Sequence, residues 1–210
     1  MKKWIIVGLI LVVFSACKKK DNHWSLNVNV KEDLGLSALS GAEVKLQGKK
    51  LSSGVFNDVW TDVAAASTDG AGNANVHFER DSYAAMQLEV SRPNYFTEVV
   101  ALNPDDFEVG ETLERYVNLT PMSTVLVYLK TTDSSASISL QIFSNQDQCN
   151  CDDLGLIEIG GSEEYSHVCY AAGGRWIKYQ INSNGPSGPL QYFDSLYVEP
   201  FVQNTLDYIY

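Results

Sequence analysis

The sequence predicts an all-β fold, with two antiparallel β-sandwich domains following one another along the chain. Short runs of residues alternate between apolar and polar side chains, which is the period of a half-buried strand. Gly, Asn, Asp, Ser and Pro separate these runs and favour turns. No long stretch repeats apolar residues at helical spacing. The folded body is therefore expected to consist of strands and turns.

The first expected domain covers residues 24–120. One face of its opening run carries Trp24, Leu26, Val28 and Val30, so this run is expected to lie on a core. The expected strands are 24–30, 42–46, 73–78, 86–90, 95–102 and 113–119. Segment 103–110 is acidic and contains proline, so it is expected to be a loop. The insert 49–62 is expected to form an extra hairpin or an exposed loop.

The second expected domain covers residues 121–210. The boundary is placed at Thr120-Pro121 because proline cannot donate a hydrogen bond inside a central strand. The expected strands are 124–130, 137–143, 154–159, 165–170, 175–181, 190–198 and 203–210. A hairpin turn at 171–174 and a Gly/Pro/Ser loop at 182–189 separate the later strands. The size of this second domain is that of a β-sandwich, and it could be an immunoglobulin-like or transthyretin-like unit.

The N-terminus has the pattern of an export signal. A cationic start, Met1-Lys2-Lys3, precedes an apolar run over 4–14 and the small residues Ser15-Ala16. This run is too short for a transmembrane helix, which needs about 20 apolar residues. With Cys17 following, the site resembles the lipobox of bacterial lipoproteins of the Bacteroidota type. The alternative is a plain secretory signal.

This resemblance implies a signal peptide over 1–16 and a lipidated spacer over 17–23. The Cys17 thiol would carry fatty acyl chains such as palmitate and would tether the protein to a membrane. The expected location is the cell envelope, as an outer-membrane lipoprotein, and display on the cell surface is left open. Lysines 18–20 would then lie near anionic headgroups, which attract them.

Three segments of the first expected domain carry a second resemblance. They are Gly41-Ala42-Glu43-Val44-Lys45-Leu46, the turn from Ser67 to Ala74, and Leu88-Glu89-Val90 followed by Tyr95. Together they resemble the carboxypeptidase-regulatory-like and transthyretin-like β-sandwich group. The resemblance implies a sandwich fold and no catalytic activity of its own. In the turn, Asp69 is expected to accept backbone hydrogen bonds.

Composition and net charge limit the classes of molecule that the protein is expected to bind. The 210-residue chain is 45% apolar, which is enough for packed cores, and its net charge is −11. Such a negative chain should repel nucleic acid. We therefore expect no nucleic-acid partner, and we expect membrane contact through the N-terminal lipid.

Three cysteines remain after Cys17: Cys149, Cys151 and Cys169. In an oxidising compartment, Cys169 is expected to form a disulfide with Cys149 or Cys151, leaving the other thiol free. The rival interpretation is a metal site that adds His167 to these thiols. The disulfide is favoured because exported thiols oxidise and zinc sites more often use wider spacing. No metal and no cofactor is expected.

Enzymatic motifs are missing from the sequence. It has three histidines, His23, His77 and His167, and neither a Gly-x-Ser-x-Gly elbow nor a His-Glu-x-x-His pair. No catalytic residue is assigned, and the protein is expected not to be an enzyme.

Aromatic residues are concentrated in the second half of the chain. Trp176 and Tyr192 are candidates for stacking on a protein or carbohydrate ligand, because aromatic rings supply rigid amphipathic contact area. The rival interpretation is ordinary core filling. Trp176 shares one side of its expected strand with Lys178, while Ile177, Tyr179 and Ile181 share the other, which indicates a surface position for Trp176.

The function expected from these observations is a non-catalytic, lipid-anchored envelope protein that acts as a binding or accessory module. One alternative is a fimbria-type subunit or anchor that assembles by strand exchange. In that case the segment 26–30 would leave its sheet after trimming. A hydrolase with an unrecognised site is the third alternative.

Overall fold

Strands make up nearly all the regular structure of the protein. The computed structural model describes residues 22–52, 55–56, 58–143 and 148–210. These residues form fifteen strands and two short 3₁₀ turns, Pro104–Asp106 and Asp152–Leu154. The predicted all-β class is confirmed. None of the helical segments in this part of the chain has the length and apolarity to cross a bilayer.

The first sandwich contains eight strands. They are β1 (His23–Glu32), β2 (Glu43–Ser52), β3 (Val55–Phe56), β4 (Thr61–Ser67), β5 (Asn73–Glu79), β6 (Tyr83–Ser91), β7 (Glu98–Leu102) and β8 (Thr112–Leu119). The insert 49–62 extends β2 and adds the short strand β3, which pairs with the end of β2. Asp69 closes the turn between β4 and β5, where its Oδ1 accepts hydrogen bonds from the backbone N–H of Ala71 and of Asn73, both at 2.9 Å.

The second sandwich contains seven strands. They are β9 (Met122–Lys130), β10 (Ser137–Phe143), β11 (Leu156–Gly160), β12 (Glu164–Ala172), β13 (Arg175–Asn184), β14 (Leu190–Val198) and β15 (Gln203–Ile209). The strands β10 and β14 coincide with the predicted ranges. Thr120 and Pro121 lie between the last strand of the first sandwich and the first strand of the second.

The two sandwiches repeat one topology. Their smaller sheets have the orders β5-β1-β8 and β12-β9-β15, and their larger sheets have the orders β4-β2-β6-β7 and β11-β10-β13-β14. If β3 is left out, each sandwich has seven strands, which can be numbered from 1 to 7 along the chain. In both sandwiches the smaller sheet then has the order 4-1-7 and the larger sheet the order 3-2-5-6. Most pairs are antiparallel as expected, but the last strand of each sandwich is parallel to its first.

Each sandwich has its own hydrophobic core. In the first, Leu26, Val28 and Val30 of β1 pack against Leu46 and Leu88 from the opposite sheet, all of them fully buried. The core of the second sandwich is built in the same way. It includes Val125, Val127, Leu129, Leu140, Ile177 and Ile181. Alternating burial along these strands accounts for the alternation in the sequence.

The sandwiches meet end to end at a polar junction. Arg175, at the start of β13, contacts the Asp33 carboxylate after β1, with Nη2 and Oδ2 at 2.5 Å. The rings of Tyr95 and Phe201 pack edge to face with centroids 5.3 Å apart. Because β1 runs toward the junction and β9 runs away from it, the second sandwich lies on the far side of the junction from the N-terminus.

Candidate binding surface

The two predicted stacking residues lie on opposite faces of one sheet. Trp176 of β13 pairs with Tyr197 of β14, whereas Tyr192 of β14 pairs with Ile181. Ile181 is 2% exposed and faces the core. Directly paired residues share a face, so Tyr192 points to the inner side and Trp176 to the outer side. The two side chains therefore do not form one stacking surface.

The outer side of this sheet carries a group of exposed apolar side chains, here called the aromatic face. Its members are between 39% and 64% exposed, and they are Phe143, Leu156, Trp176, Phe193 and Tyr197. Strand register places them all on one side. Each of them either neighbours a core residue along its own strand or is paired with a residue that does. The rings of Trp176 and Tyr197 are tilted against each other with centroids 5.2 Å apart.

Uncharged polar side chains fill the aromatic face between its rings. Gln180 pairs with Gln141 on one side and with Phe193 on the other. In the next row, Asn182 lies between Ser139 and Gln191. Gln180 Nε2 donates to Asn182 Oδ1 at 2.9 Å, and Asn182 Nδ2 donates to Ser139 Oγ at 3.2 Å. Among its described residues the same face carries one basic side chain, Lys178, and one acidic side chain, Glu158, so these charges balance.

The corresponding face of the first sandwich is different in character. Its centre carries Glu43, Lys45, Gln47, Gln87 and Glu89 on β2 and β6, and register places Lys45 opposite Glu89 and Gln47 opposite Gln87. Lys45 and Glu43 form an ion pair at 3.4 Å, and Gln87 Nε2 donates to Gln47 Oε1 at 2.8 Å. Two sheets of one topology thus have a charged outer face in one sandwich and an apolar one in the other. The topology does not require the exposed aromatic residues.

A tyrosine and carboxylate cluster lies on the inner side at the open edge of the same sheet. Tyr192 Oη donates to Asp194 Oδ2 at 2.5 Å, and Tyr179 Oη lies 3.4 Å from the same oxygen. The hydrogen bond from Tyr192 and the N–H of Ser195 lower the pKa of Asp194. Burial, followed by the nearby Asp194 charge, raises the pKa of Tyr179 to about 12. Sequence reasoning missed Asp194, although its place among alternating aromatics was visible.

A polar groove of about 560 Å³ lies at the junction of the sandwiches. It is lined by Asp33, Glu98, Tyr116 and Asn118 of the first sandwich, and by Arg175 of the second. Arg175 is already engaged by Asp33, and Gln148 Nε2 approaches Glu98 Oε2 at 3.5 Å. The groove is therefore part of the contact between the sandwiches.

The cysteines form one disulfide, between Cys151 and Cys169, with Cα atoms 5.1 Å apart. This confirms that Cys169 pairs with one of the two neighbouring cysteines and selects Cys151. Cys149 is free and half-buried. The bond ties the segment after β10 to β12, and Asn150 reinforces it by accepting from Tyr170 N–H at 2.6 Å.

The rival metal site loses two of its four candidate ligands to this bond. No cluster of three or more His, Cys, Asp or Glu residues with metal-binding geometry occurs among the described residues. His167 is exposed on β12 beside the Tyr165 ring. The lipid-attachment residue Cys17 lies outside the described residues, so its acylation stays a prediction.

Comparisons with known proteins add a likeness in structure. No protein-family model matches the sequence, and no curated protein matches it. The TIE protein of Bacillus anthracis is similar with a TM-score of 0.39 and 12% identity, over 90% of this chain and 33% of that one. A streptococcal ancillary pilin is similar with a TM-score of 0.38 and 9% identity, over 92% of this chain and 63% of that one.

A third solved structure, the minor pilin GBS52 of Streptococcus agalactiae, has a TM-score of 0.36 and 9% identity, over 88% of this chain and 94% of that one. This chain thus spans a third of the Bacillus anthracis protein and less than two thirds of the streptococcal ancillary pilin. At such low identities and TM-scores, these likenesses carry no argument about function.

Proposed function

We propose that this chain is a lipid-anchored, non-catalytic protein of the bacterial outer membrane that binds a neutral polysaccharide through the aromatic face. One observation carries the proposal. The second sandwich exposes Trp176, Phe193 and Tyr197 on a sheet whose counterpart in the first sandwich is charged. Exposed apolar groups that the fold does not need mark a surface used for binding.

The chemistry of the face fits sugar rings. A pyranose ring has an apolar C–H side that packs on an aromatic ring, and its rim carries hydroxyl groups. The amide side chains of Gln141, Gln180, Asn182 and Gln191 can each donate to and accept from such hydroxyls. The near balance of Lys178 and Glu158, in a chain of net charge −11, favours an uncharged ligand.

The size of the face favours a thin chain over a globular partner. A large aromatic side chain has a surface of about 150–250 Å². Five side chains at 39% to 64% exposure therefore offer about 400–650 Å² of surface. A standard protein–protein interface takes about 800 Å² from each partner. A polysaccharide chain lying across the sheet requires less.

The proposed lipid anchor and the aromatic face would lie at opposite ends of the molecule. Acylated Cys17 would hold the N-terminal end at the membrane, where β1 begins at His23. Because the second sandwich lies beyond the junction, the aromatic face would lie on the part of the molecule further from the lipid. A polysaccharide of the envelope or its surroundings could then reach it.

Affinity electrophoresis tests the proposal directly. The purified lipoprotein, kept in detergent, is run through native gels that contain soluble starch, xyloglucan, galactomannan or mixed-linkage β-glucan. We expect at least one of these neutral polymers to retard the protein, and we expect anionic polygalacturonate not to. Replacing Trp176 and Tyr197 together by Ala should weaken the interaction at least tenfold, because aromatic anchors dominate such interfaces.

Tyr116→Ala is the matched control, since Tyr116 is an aromatic residue of the first sandwich that is 75% exposed. This variant should migrate like the unmodified protein. The proposal is overturned if none of the neutral polymers retards the protein. It is also overturned if the Trp176 and Tyr197 double variant is retarded as strongly as the unmodified protein.

A fimbria-type structural subunit is the second candidate, and the position of the terminal strands bears on it. β1 lies between β5 and β8 in the centre of its sheet and buries Leu26, Val28 and Val30 completely. Removing it would open the first core. The last strand, β15, is instead an edge strand that pairs with β9 alone among the described strands. Strand exchange would therefore run through β15.

Assembly by exchange of β15 should produce species of high mass that survive mild detergent on gels. A disulfide engineered between β15 and β9 should abolish these species if they arise by exchange. A single band at the mass of one chain, from native membranes, would contradict this second candidate.

A further inference from the structure

We propose that the free edge of β14 accepts an extended basic peptide as an added antiparallel strand, with a Lys or Arg of the peptide opposite Asp194. This site is separate from the polysaccharide-binding function proposed above and does not depend on it. In the described part of the chain, β14 is the last strand of its sheet and pairs with β13 alone. Its other edge has no partner among the described strands, so its main-chain groups are open to pairing apart from the Ser195 N–H, which donates to Asp194 Oδ1 at 2.7 Å.

β14 has few of the features that usually protect an edge strand. It has nine residues without Pro or Gly, and its register with β13 is unbroken from Arg175↔Val198 to Ser183↔Leu190. Its one charged residue is Asp194. Natural edges are commonly blocked by short length, bulges, proline or inward-pointing charges, and Asp194 is the one such feature on β14.

The other edges of the two sandwiches are less open. β7 and β11 have five residues each, and β8 carries Glu114 and Arg115. β12 is as long as β14, but Asn150 hydrogen bonds to the backbone of Tyr170 at its edge. In the first sandwich, the equivalent of β14 is the short strand β7, which borders the junction groove. The remaining edge strands, β4, β5 and β15, have seven residues each. Among the described edges β12 and β14 are therefore the longest, and β14 lacks a contact like that of Asn150.

Asp194 determines the charge of the partner. Its carboxylate receives the Tyr192 and Tyr179 hydroxyls and the Ser195 N–H, and no Lys or Arg contacts it among the described residues. Residues directly opposite on paired strands interact most strongly, and opposite charges there are favourable. A basic side chain at that position of the added strand would complete the cluster.

The outer side of β14 determines the rest of the pattern. Phe193 is 64% exposed and Tyr197 is 41% exposed, with the smaller Ser195 between them. An added strand would present its own residues opposite these rings on the same side of the sheet. An antiparallel strand, read from its N-terminus, meets Tyr197 first and Phe193 last. Its expected pattern is therefore an apolar residue opposite Tyr197, two residues of any kind, a basic residue opposite Asp194 and an apolar residue opposite Phe193.

A second copy of the chain is a poorer occupant. Asp194 is the central residue of Leu190–Val198, so two antiparallel β14 strands paired about their middles would place Asp194 opposite itself. Like charges directly opposite are destabilising. Each chain also has a net charge of −11. The complementary partner is therefore a basic extended segment of another protein.

Fluorescence anisotropy with synthetic peptides tests this inference. The lipoprotein in detergent is titrated into the labelled peptide TVTSKVTV, which has the expected pattern, and into TVTSEVTV, in which Glu replaces Lys. We expect the Lys peptide to bind at least tenfold more tightly. Asp194→Asn should reduce this preference at least fivefold, whereas Asp105→Asn, in the 3₁₀ turn of the first sandwich, should leave it unchanged.

Backbone pairing is tested with N-methylated peptides. Alternate N–H groups of an added strand face β14 and the others face away. N-methylation of one alternate set should therefore abolish binding, and N-methylation of the other set should leave it within twofold. Trp176→Ala should also leave peptide binding within twofold, which separates this site from polysaccharide binding. Equal binding of the Lys and Glu peptides, or of the two methylated peptides, would overturn the inference.

Discussion

The backbone of Gly174 lies against the side chain of Leu34, across the junction between the two sandwiches. A Cβ atom placed on Gly174 would overlap with Leu34 Cδ1. Gly174 also has a φ of +76°, in the left-handed region that favours glycine. The turn between β12 and β13 therefore needs glycine both for its conformation and for the close approach of the first sandwich.

Gly174→Ala should lower the free energy of unfolding by more than a matched change at Gly188. Gly188 has a φ of +92° and no atom within 4 Å of an added Cβ, so Gly188→Ala reports backbone strain alone. That strain is about 1 kcal/mol. Gly174→Ala should cost about 1 kcal/mol more, because Leu34 must shift.

Urea denaturation measures both variants of this pair. In the background of Leu34→Ala, Gly174→Ala should destabilise the protein no more than Gly188→Ala does. Equal destabilisation by the two alanine substitutions would show that the junction does not pack as described.

Reduction of the Cys151–Cys169 disulfide should destabilise the second sandwich. The bond closes a loop with a sequence separation of 18, and a loop of that length corresponds to about 3 kcal/mol. Unfolding in urea with and without a reducing agent measures this difference. Cys149→Ser should leave the difference unchanged, since Cys149 is not in the bond. An unchanged urea midpoint after complete reduction would refute the prediction.

Tyr95 should lose its proton at an unusually high pH. Burial, with the hydrogen bond from its hydroxyl to Glu32 at 2.8 Å, raises the pKa of Tyr95 to about 12. The neutral phenol is therefore favoured in the folded state. This contribution is complete below the pKa of an unfolded tyrosine, about 10, and is lost as the pH rises through about 12.

Phenolate absorbance during alkaline titration tests this assignment. Tyr95→Phe should remove one late-titrating tyrosine and lessen the loss of stability between about pH 10 and about pH 12. Tyr116→Phe, at an exposed position, controls for the number of tyrosines. If Tyr95→Phe leaves the late part of the titration curve unaltered, another tyrosine is responsible.

Cys17 should be the first residue of the mature protein and should carry fatty acyl chains. Mass spectrometry of the protein from native membranes should find the N-terminal peptide heavier by the mass of its lipids. Cys17→Ala should abolish incorporation of labelled palmitate and release the protein from the membrane fraction. Control labelling of Cys149→Ala should be normal. An intact Met1, or an unmodified Cys17, would refute the anchor.

Alternation along the chain was sufficient to predict most strands, because burial of one face of a strand leaves a two-residue period. The ranges of β10 and β14 follow from it directly. β4 was missed because Thr61–Ser67 carries three alanines in succession and does not alternate. β7 begins at Glu98, later than predicted, because Tyr95 is used at the junction of the sandwiches.

The all-β class, the inward residues of β1 and the disulfide bonding of Cys169 could be predicted from the amino acids alone, since each depends on a local pattern or on the redox compartment. Three features became known only from the folded chain: Cys151 is the partner of Cys169, the two sandwiches share one topology, and Trp176 and Tyr192 face opposite ways. These features depend on which distant strands pair and in which register. Such pairing arises from contacts far apart in the chain, and no local spacing records it.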